Sequence, residues 1–177
     1  MGSHLTPICL THRYLDLPIL VDDSDRGLLI CAPSGSGKTT FINWVFNNCP
    51  PISDRFVEGD DIIADTIGWP SDTGDHRYNT AWNTVALNAI HGWMTLNPGH
   101  IVLFDTMPNL IPKIFTTNVL IVLPPQWLIL KNINAWSLGM PMGTIRRPTF
   151  CAQRYNEYKK LEVPKLPGFP DVTDDSK

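Results

Sequence analysis

Cys31-Ala32-Pro33-Ser34-Gly35-Ser36-Gly37-Lys38-Thr39-Thr40-Phe41 lies between an apolar run, Leu28-Leu29-Ile30, and an apolar-periodic one, Phe41-Ile42 with Trp44-Val45-Phe46. That order predicts a strand, a glycine-rich turn and a helix, the setting in which such a turn binds phosphate. Gly35 and Gly37 can adopt tight-loop backbone angles, and without side chains they let main-chain N–H groups converge on an anion. A helix starting near Lys38 adds unsatisfied N–H donors and a partial positive charge. Lys38 is placed to reach the β- and γ-phosphates, and the Thr39 hydroxyl to ligate Mg²⁺. The run fits A-x4-G-K-T, the Walker A pattern, with Ala32 where glycine is more usual. The expected ligand is a nucleoside triphosphate, ATP or GTP, with Mg²⁺. Ser34, Gly35, Ser36, Gly37, Lys38, Thr39 and Thr40 would surround its phosphates.

The rest of the composition sets limits. A length of 177 residues suits one domain with a sizeable core. The net charge of -3 gives no global attraction to nucleic acid, so any polynucleotide contact would need a local basic patch. The four cysteines, Cys9, Cys31, Cys49 and Cys151, form no C-x-x-C pair. They read as free thiols of a cytoplasmic or other reducing compartment, not as a zinc site. No apolar run is long enough to cross a membrane. Met1-Gly2-Ser3-His4 reads as a cloning remnant, residues 5–162 as a single domain, and 163–177 as an extended or disordered tail.

Hydrophobic patterning gives the order of elements. Residues 19–21 make a short lead-in strand. Residues 27–32 are the first buried strand and 38–48 the first helix, stopped by Pro50-Pro51. Residues 55–58 form a second strand running into Gly59-Asp60-Asp61, and 62–77 read mostly as loop. A long amphipathic helix over 78–96 is followed by buried strands at 100–105 and 118–123, with 110–115 a short connector between them. A helix over 126–134 has Pro125 at a first-turn position. Residues 137–148 form a flexible segment ending in Arg146-Arg147, and a last helix covers 150–161. Apolar strands alternating with helices imply a three-layer α/β/α sandwich on a mostly parallel sheet. Sites in such sheets lie beyond the carboxyl ends of the strands, which gathers the glycine turn, Asp60-Asp61 and Asp105 on one rim.

Each of these groups has a plain alternative. Asp105 ends an apolar strand and is expected to hold Mg²⁺ through water, paired with Thr39; otherwise it caps the following turn. Asp60 and Asp61 are candidates for the carboxylate that orients an acceptor hydroxyl and takes its proton, against a simple Asp-stabilised turn. Arg146 or Arg147 on a mobile segment would neutralise charge developing during phosphoryl transfer. Arg154 would reach nucleotide phosphate from the last helix. Trp69 is the better base-stacking candidate, with Trp82 and Trp93 packing. His76 and His91 show no metal-ligand spacing.

The order of strand, Walker A, helix, strand with Gly59-Asp60-Asp61, long helix, strand with Asp105, strand, helix, Arg146-Arg147 and helix resembles the small P-loop kinases. These include nucleoside and nucleotide, shikimate and gluconate, and polynucleotide kinases. Over residues 27–161 the resemblance implies an enzyme moving the γ-phosphate of ATP or GTP to a hydroxyl, with a nucleoside or polynucleotide end favoured as acceptor. It also implies roles: Lys38 and Thr39 on phosphate and Mg²⁺, Asp60 or Asp61 as base, and Arg146 or Arg147 as lid arginine. The chain departs from the family pattern in having Lys131 where an arginine is common and no evident fifth buried strand after 161. Without acceptor chemistry, the same motifs would make an NTPase or nucleotide-binding module of a larger assembly. A small-metabolite or nucleotide monophosphate kinase is the other alternative.

Overall fold

The computed structural model describes residues 5–7, 20–22, 27–48, 53–69, 79–116, 118–137 and 148–169. Strands β1 (Leu5–Pro7) and β2 (Leu20–Asp22) pair antiparallel in a small sheet of their own. The main sheet comprises β3 (Leu28–Cys31), β4 (Phe56–Glu58), β5 (Ile101–Phe104), β6 (Val119–Val122) and β7 (Lys165–Leu166). Its order is β4-β5-β3-β6-β7, and every pairing is parallel.

Side-chain alternation along the strands divides the interior into two cores. Ile30, Ala32, Ile101 and Leu103 face helix α1 (Lys38–Asn48), which contributes Phe41, Ile42, Trp44 and Val45. Leu29, Cys31, Val102 and Phe104 face the opposite side. There they meet Ile62 and Ile63 of α2 (Gly59–Thr66) and Ala86, Leu87 and Ile90 of α3 (Thr80–Leu96). Central strands apolar on both faces, covered by helices on each, form the expected three-layer α/β/α sandwich. Helix α3 starts cleanly because the Asn79 side chain accepts the Trp82 N–H at 3.0 Å.

Three local readings change. Residues 59–66 are helical, so 62–66 are not loop and Gly59-Asp60-Asp61 begin a helix: Asp60 and Asp61 occupy the first turn of α2, where the helix dipole favours acids. Gly59 is needed there for closeness, since a Cβ would stand 2.5 Å from the Phe104 ring. Residues 108–114 form a short 3-10 turn (Pro108–Leu110) and helix α4 (Ile111–Ile114) in place of a plain connector. A fifth strand also exists. Lys165–Leu166 extends the sheet beside β6, Leu166 is buried, and Phe169 stacks on Phe41 at 5.1 Å, so the ordered fold continues past the expected boundary at 162. Its two residues are too few to show a strand period among Pro164 and Pro167.

Helices α5 (Gln126–Ser137) and α6 (Pro148–Lys160) complete the fold. Pro125 stands just before α5 and caps it, its carbonyl accepting the Leu128 N–H at 3.0 Å.

Candidate active site

The phosphate loop leaves the carboxyl end of β3 where its neighbours are β5 on one side and β6 on the other. That is the switch point at which open parallel sheets bind ligands. Gly35 and Gly37 have φ of 83° and 97°, a region that glycine alone enters without strain. A Cβ on Gly37 would meet nothing within 4 Å, so the loop is open on that side. The first turn of α1 contains Lys38, Thr39 and Thr40 and no acid of its own, as suits a helix start that receives an anion.

Lys38 Nζ donates to the carbonyls of Ala32 and Pro33 at 2.8 and 2.9 Å. Burial of this ammonium pushes its pKa down, while Asp105, Asp60, Cys31 and Glu58 act to keep it charged. Those acids therefore share one neighbourhood with the loop. Asp60 sits on the exposed rim of α2, yet protein crowds its carboxyl: desolvation pushes its pKa up, Lys38 opposes, and Glu58, Asp105 and Asp61 add to the rise. Asp61 is exposed and does not figure among the groups acting on Lys38. Of the adjacent pair, Asp60 is the one electrically coupled to the loop.

Thr39 Oγ1 donates to Glu58 Oε1 at 3.2 Å, not to Asp105. Asp105 instead accepts from Ser34 Oγ at 3.2 Å, Tyr158 Oη at 2.8 Å and Arg154 at 3.2 Å. The expected Asp105–Thr39 pair is thus replaced by Glu58–Thr39. The reason lies in α6: Cys151, Arg154 and Tyr158 are spaced to share its buried face, which turns Arg154 inward. Arg154 is 5% exposed, pairs with Asp105 and also donates to the Thr106 carbonyl at 2.9 Å. The Tyr158 hydroxyl accepts the Thr106 N–H at 3.0 Å; burial raises its pKa well above the usual tyrosine value and keeps it a donor. Burial likewise pushes the Cys31 thiol far up, which removes it as a nucleophile.

The donor set suits Mg²⁺. A threonine hydroxyl and a carboxylate are hard oxygen ligands, and Mg²⁺ takes one or two such groups and completes its shell with phosphate and water. Among the described residues no cluster of three or more His, Cys, Asp or Glu side chains forms a protein-only cage.

Other candidates are placed plainly. Trp69 is 42% exposed and lies 5.9 Å from Trp82, so the pair joins the end of α2 to the start of α3. Trp82 and Trp93 pack against the second core as expected. His91 packs edge-on against Phe115. His76, Arg146 and Arg147 lie outside the described residues. Sequence reasoning missed Glu58 and Tyr158. An acid ending the second strand was a signal for Glu58, just as Asp105 was for the third.

This layout has solved counterparts. The shikimate kinase from Acinetobacter baumannii in complex with shikimate superposes with a TM-score of 0.56 at 13% identity, over 82% of this chain and 84% of that one. The shikimate kinase from Bacteroides thetaiotaomicron superposes at 0.53 and 11% identity, over 81% and 86%. The fold is that of the P-loop kinases. No protein-family model and no curated protein matches the sequence. In this P-loop kinase fold, Lys38, Thr39, Glu58 and Asp60 converge at the carboxyl ends of β3 and β4.

One consequence can be measured without any substrate. The raised pKa of Asp60 means the folded protein binds its proton more tightly than the unfolded chain does. Ionised Asp60 therefore costs stability above its folded pKa, and the cost fades as pH falls towards the ordinary aspartate value. Asp60→Asn is expected to raise the thermal midpoint of metal-free, nucleotide-free protein at about pH 7.5 and to have no such benefit near about pH 4. Melting curves across that range check it.

Proposed function

We propose that the protein is a Mg²⁺-dependent kinase that transfers the γ-phosphate of ATP or GTP to a hydroxyl on an acceptor without negative charge, a nucleoside being the favoured class. The observation that carries this reading is the coupling of Asp60 to Lys38, beside the Glu58–Thr39 pair. A nucleotidase needs only phosphate-binding groups and a positioned water. A carboxylate with a raised pKa that acts on the phosphate-loop lysine fits removal of a proton from an acceptor hydroxyl.

In this scheme the loop N–H groups and the α1 N-terminus hold the phosphates, and Lys38 neutralises charge on the transferring group. Thr39 and Glu58 would hold Mg²⁺, which when bound offsets charge on the β- and γ-phosphates. Asp60 orients the acceptor hydroxyl and accepts its proton as the new O–P bond forms and the bond from the γ-phosphorus to the β–γ bridging oxygen breaks, releasing ADP or GDP. Arg154 and Tyr158 fix Asp105, whose bond from Ser34 anchors the loop to the end of β5. Arg146 or Arg147 would serve as the lid arginine.

The acceptor side argues for class. Helices α2 and α3 contain Asp60, Asp61 and Asp65 and no lysine or arginine. A phosphate or carboxylate acceptor is recognised by cations, and a polynucleotide end by a basic track, so these helices favour an uncharged partner. The Trp69–Trp82 pair offers a flat aromatic surface suited to a ring such as a nucleobase. ADP or GDP formation measured with neutral nucleosides, nucleoside monophosphates and 5′-hydroxyl oligonucleotides tests this. Acceptor-dependent turnover is expected with the neutral compounds; preference for the phosphorylated ones would contradict it.

A further inference from the structure

Helix α5 touches the phosphate loop directly. The turn 33–36 is closed by the Ser36 N–H on the Pro33 carbonyl at 3.2 Å, and it presents the Gly35 carbonyl to Asn132, whose Nδ2 donates to it at 2.8 Å. A Cβ on Gly35 would lie 2.8 Å from both the Ile129 carbonyl and Ile133 Cγ1, so loop and helix meet with no spare room. Ile129 and Ile133 cluster with Cys151 of α6, apart from both sheet cores. The next residue along the loop, Ser36, has a buried hydroxyl with no hydrogen-bond partner among the described residues, a polar group left for a ligand.

A glycine-rich turn samples many backbone states, so its own sequence does not hold the donors in one direction. The Gly35–Ser36 peptide is held at both ends, its carbonyl by Asn132 and its N–H by the Pro33 carbonyl, so its plane cannot turn and the N–H groups on either side of it keep their directions. We propose that Asn132 is a positioning residue for nucleotide phosphate: its amide fixes the Gly35–Ser36 peptide and keeps the loop in the shape that receives the anion. This rests on the reading of the loop as a triphosphate site. The role extends that site to a helix with no sequence motif and links α5 and α6 to phosphate binding. Ordering the loop in advance spares the ligand that cost on binding.

Isothermal titration of the full chain with Mg·ATP and with Mg·tripolyphosphate, which lacks base and ribose, tests it. Asn132→Ala is expected to weaken both ligands by the same factor, about five- to tenfold, the scale of one lost hydrogen bond. Asn132→Asp, which cannot donate, should lose at least as much, and Asn132→Gln, which keeps the donor, should recover part. Asn134→Ala, exposed on the same helix, should change neither. A loss for ATP alone would put Asn132 on the base or ribose, and unchanged affinities would make the bond merely structural; either overturns the proposal. Wild-type protein binding neither ligand would instead overturn the triphosphate reading itself, and the positioning role with it.

Discussion

Lys38→Ala is expected to lower γ-phosphate transfer by about 10²- to 10³-fold, the range for removing a group that stabilises charge in a transition state. The Lys38 ammonium is held at the loop by the Ala32 and Pro33 carbonyls at 2.8 and 2.9 Å, so it is oriented before nucleotide arrives. Burial works against its charge, and the surrounding acids only partly offset this. A triphosphate would supply the missing anion. Removing the side chain leaves two part-buried carbonyls without their donor and three acids, Glu58, Asp60 and Asp105, near incoming phosphate. Mg·ATP affinity should therefore fall together with turnover. Single-turnover assays with enzyme in excess, paired with titration calorimetry, separate the two effects. Transfer within about threefold of wild type would remove Lys38 from the mechanism.

Asp60→Asn is expected to act differently, losing about 10²- to 10⁴-fold in transfer, the contribution of a positioned general base. Nucleotide affinity should hold or improve, because the change removes a negative charge beside the phosphate loop. Asparagine keeps the shape and the α2 packing, so the loss would come from the missing proton acceptor. Asp61→Asn is the internal comparison. Asp61 is exposed, in the same first turn of α2, and is not among the groups acting on Lys38. It should change transfer by no more than about twofold. Equal losses in the two variants would point to the helix terminus as a whole and against a base at Asp60.

The phosphate loop and its flanks were legible because strand, glycine turn and helix each leave a local signal that agrees with the others. Helix α1 runs over 38–48 as its periodicity predicts, and the central strands alternate between two cores as their apolar runs imply. What escaped was non-local. Asp105 and Thr39 each satisfy a sequence rule, but which acid faces Thr39 depends on how β4 and β5 sit beside β3. Glu58 holds that place because Arg154 and Tyr158, about 50 residues downstream of Asp105, occupy its carboxylate. Asn132 reaches Gly35 across 97 positions of sequence and belongs to no motif. Strand β7 is two residues long and is defined by its partner, not by its own pattern.

The identity of the acid at the end of β4 has a further consequence. Glu58 and Asp60 flank Gly59, whose close fit under Phe104 ties the start of α2 to the end of β5. In the proposed scheme this would hold the metal side and the acceptor side on a single turn. An acid for Mg²⁺ and an acid for the hydroxyl two residues apart can act on the two ends of the same transferring phosphate.

The fate of the γ-phosphate tests the central claim most directly. With γ-labelled ATP, Mg²⁺ and a saturating neutral hydroxyl acceptor, the label should appear in phosphorylated acceptor, and Asp60→Asn should slow that appearance by about 10²- to 10⁴-fold while ATP still binds. Label appearing only as free phosphate, at a rate indifferent to acceptor and to Asp60, would contradict the account.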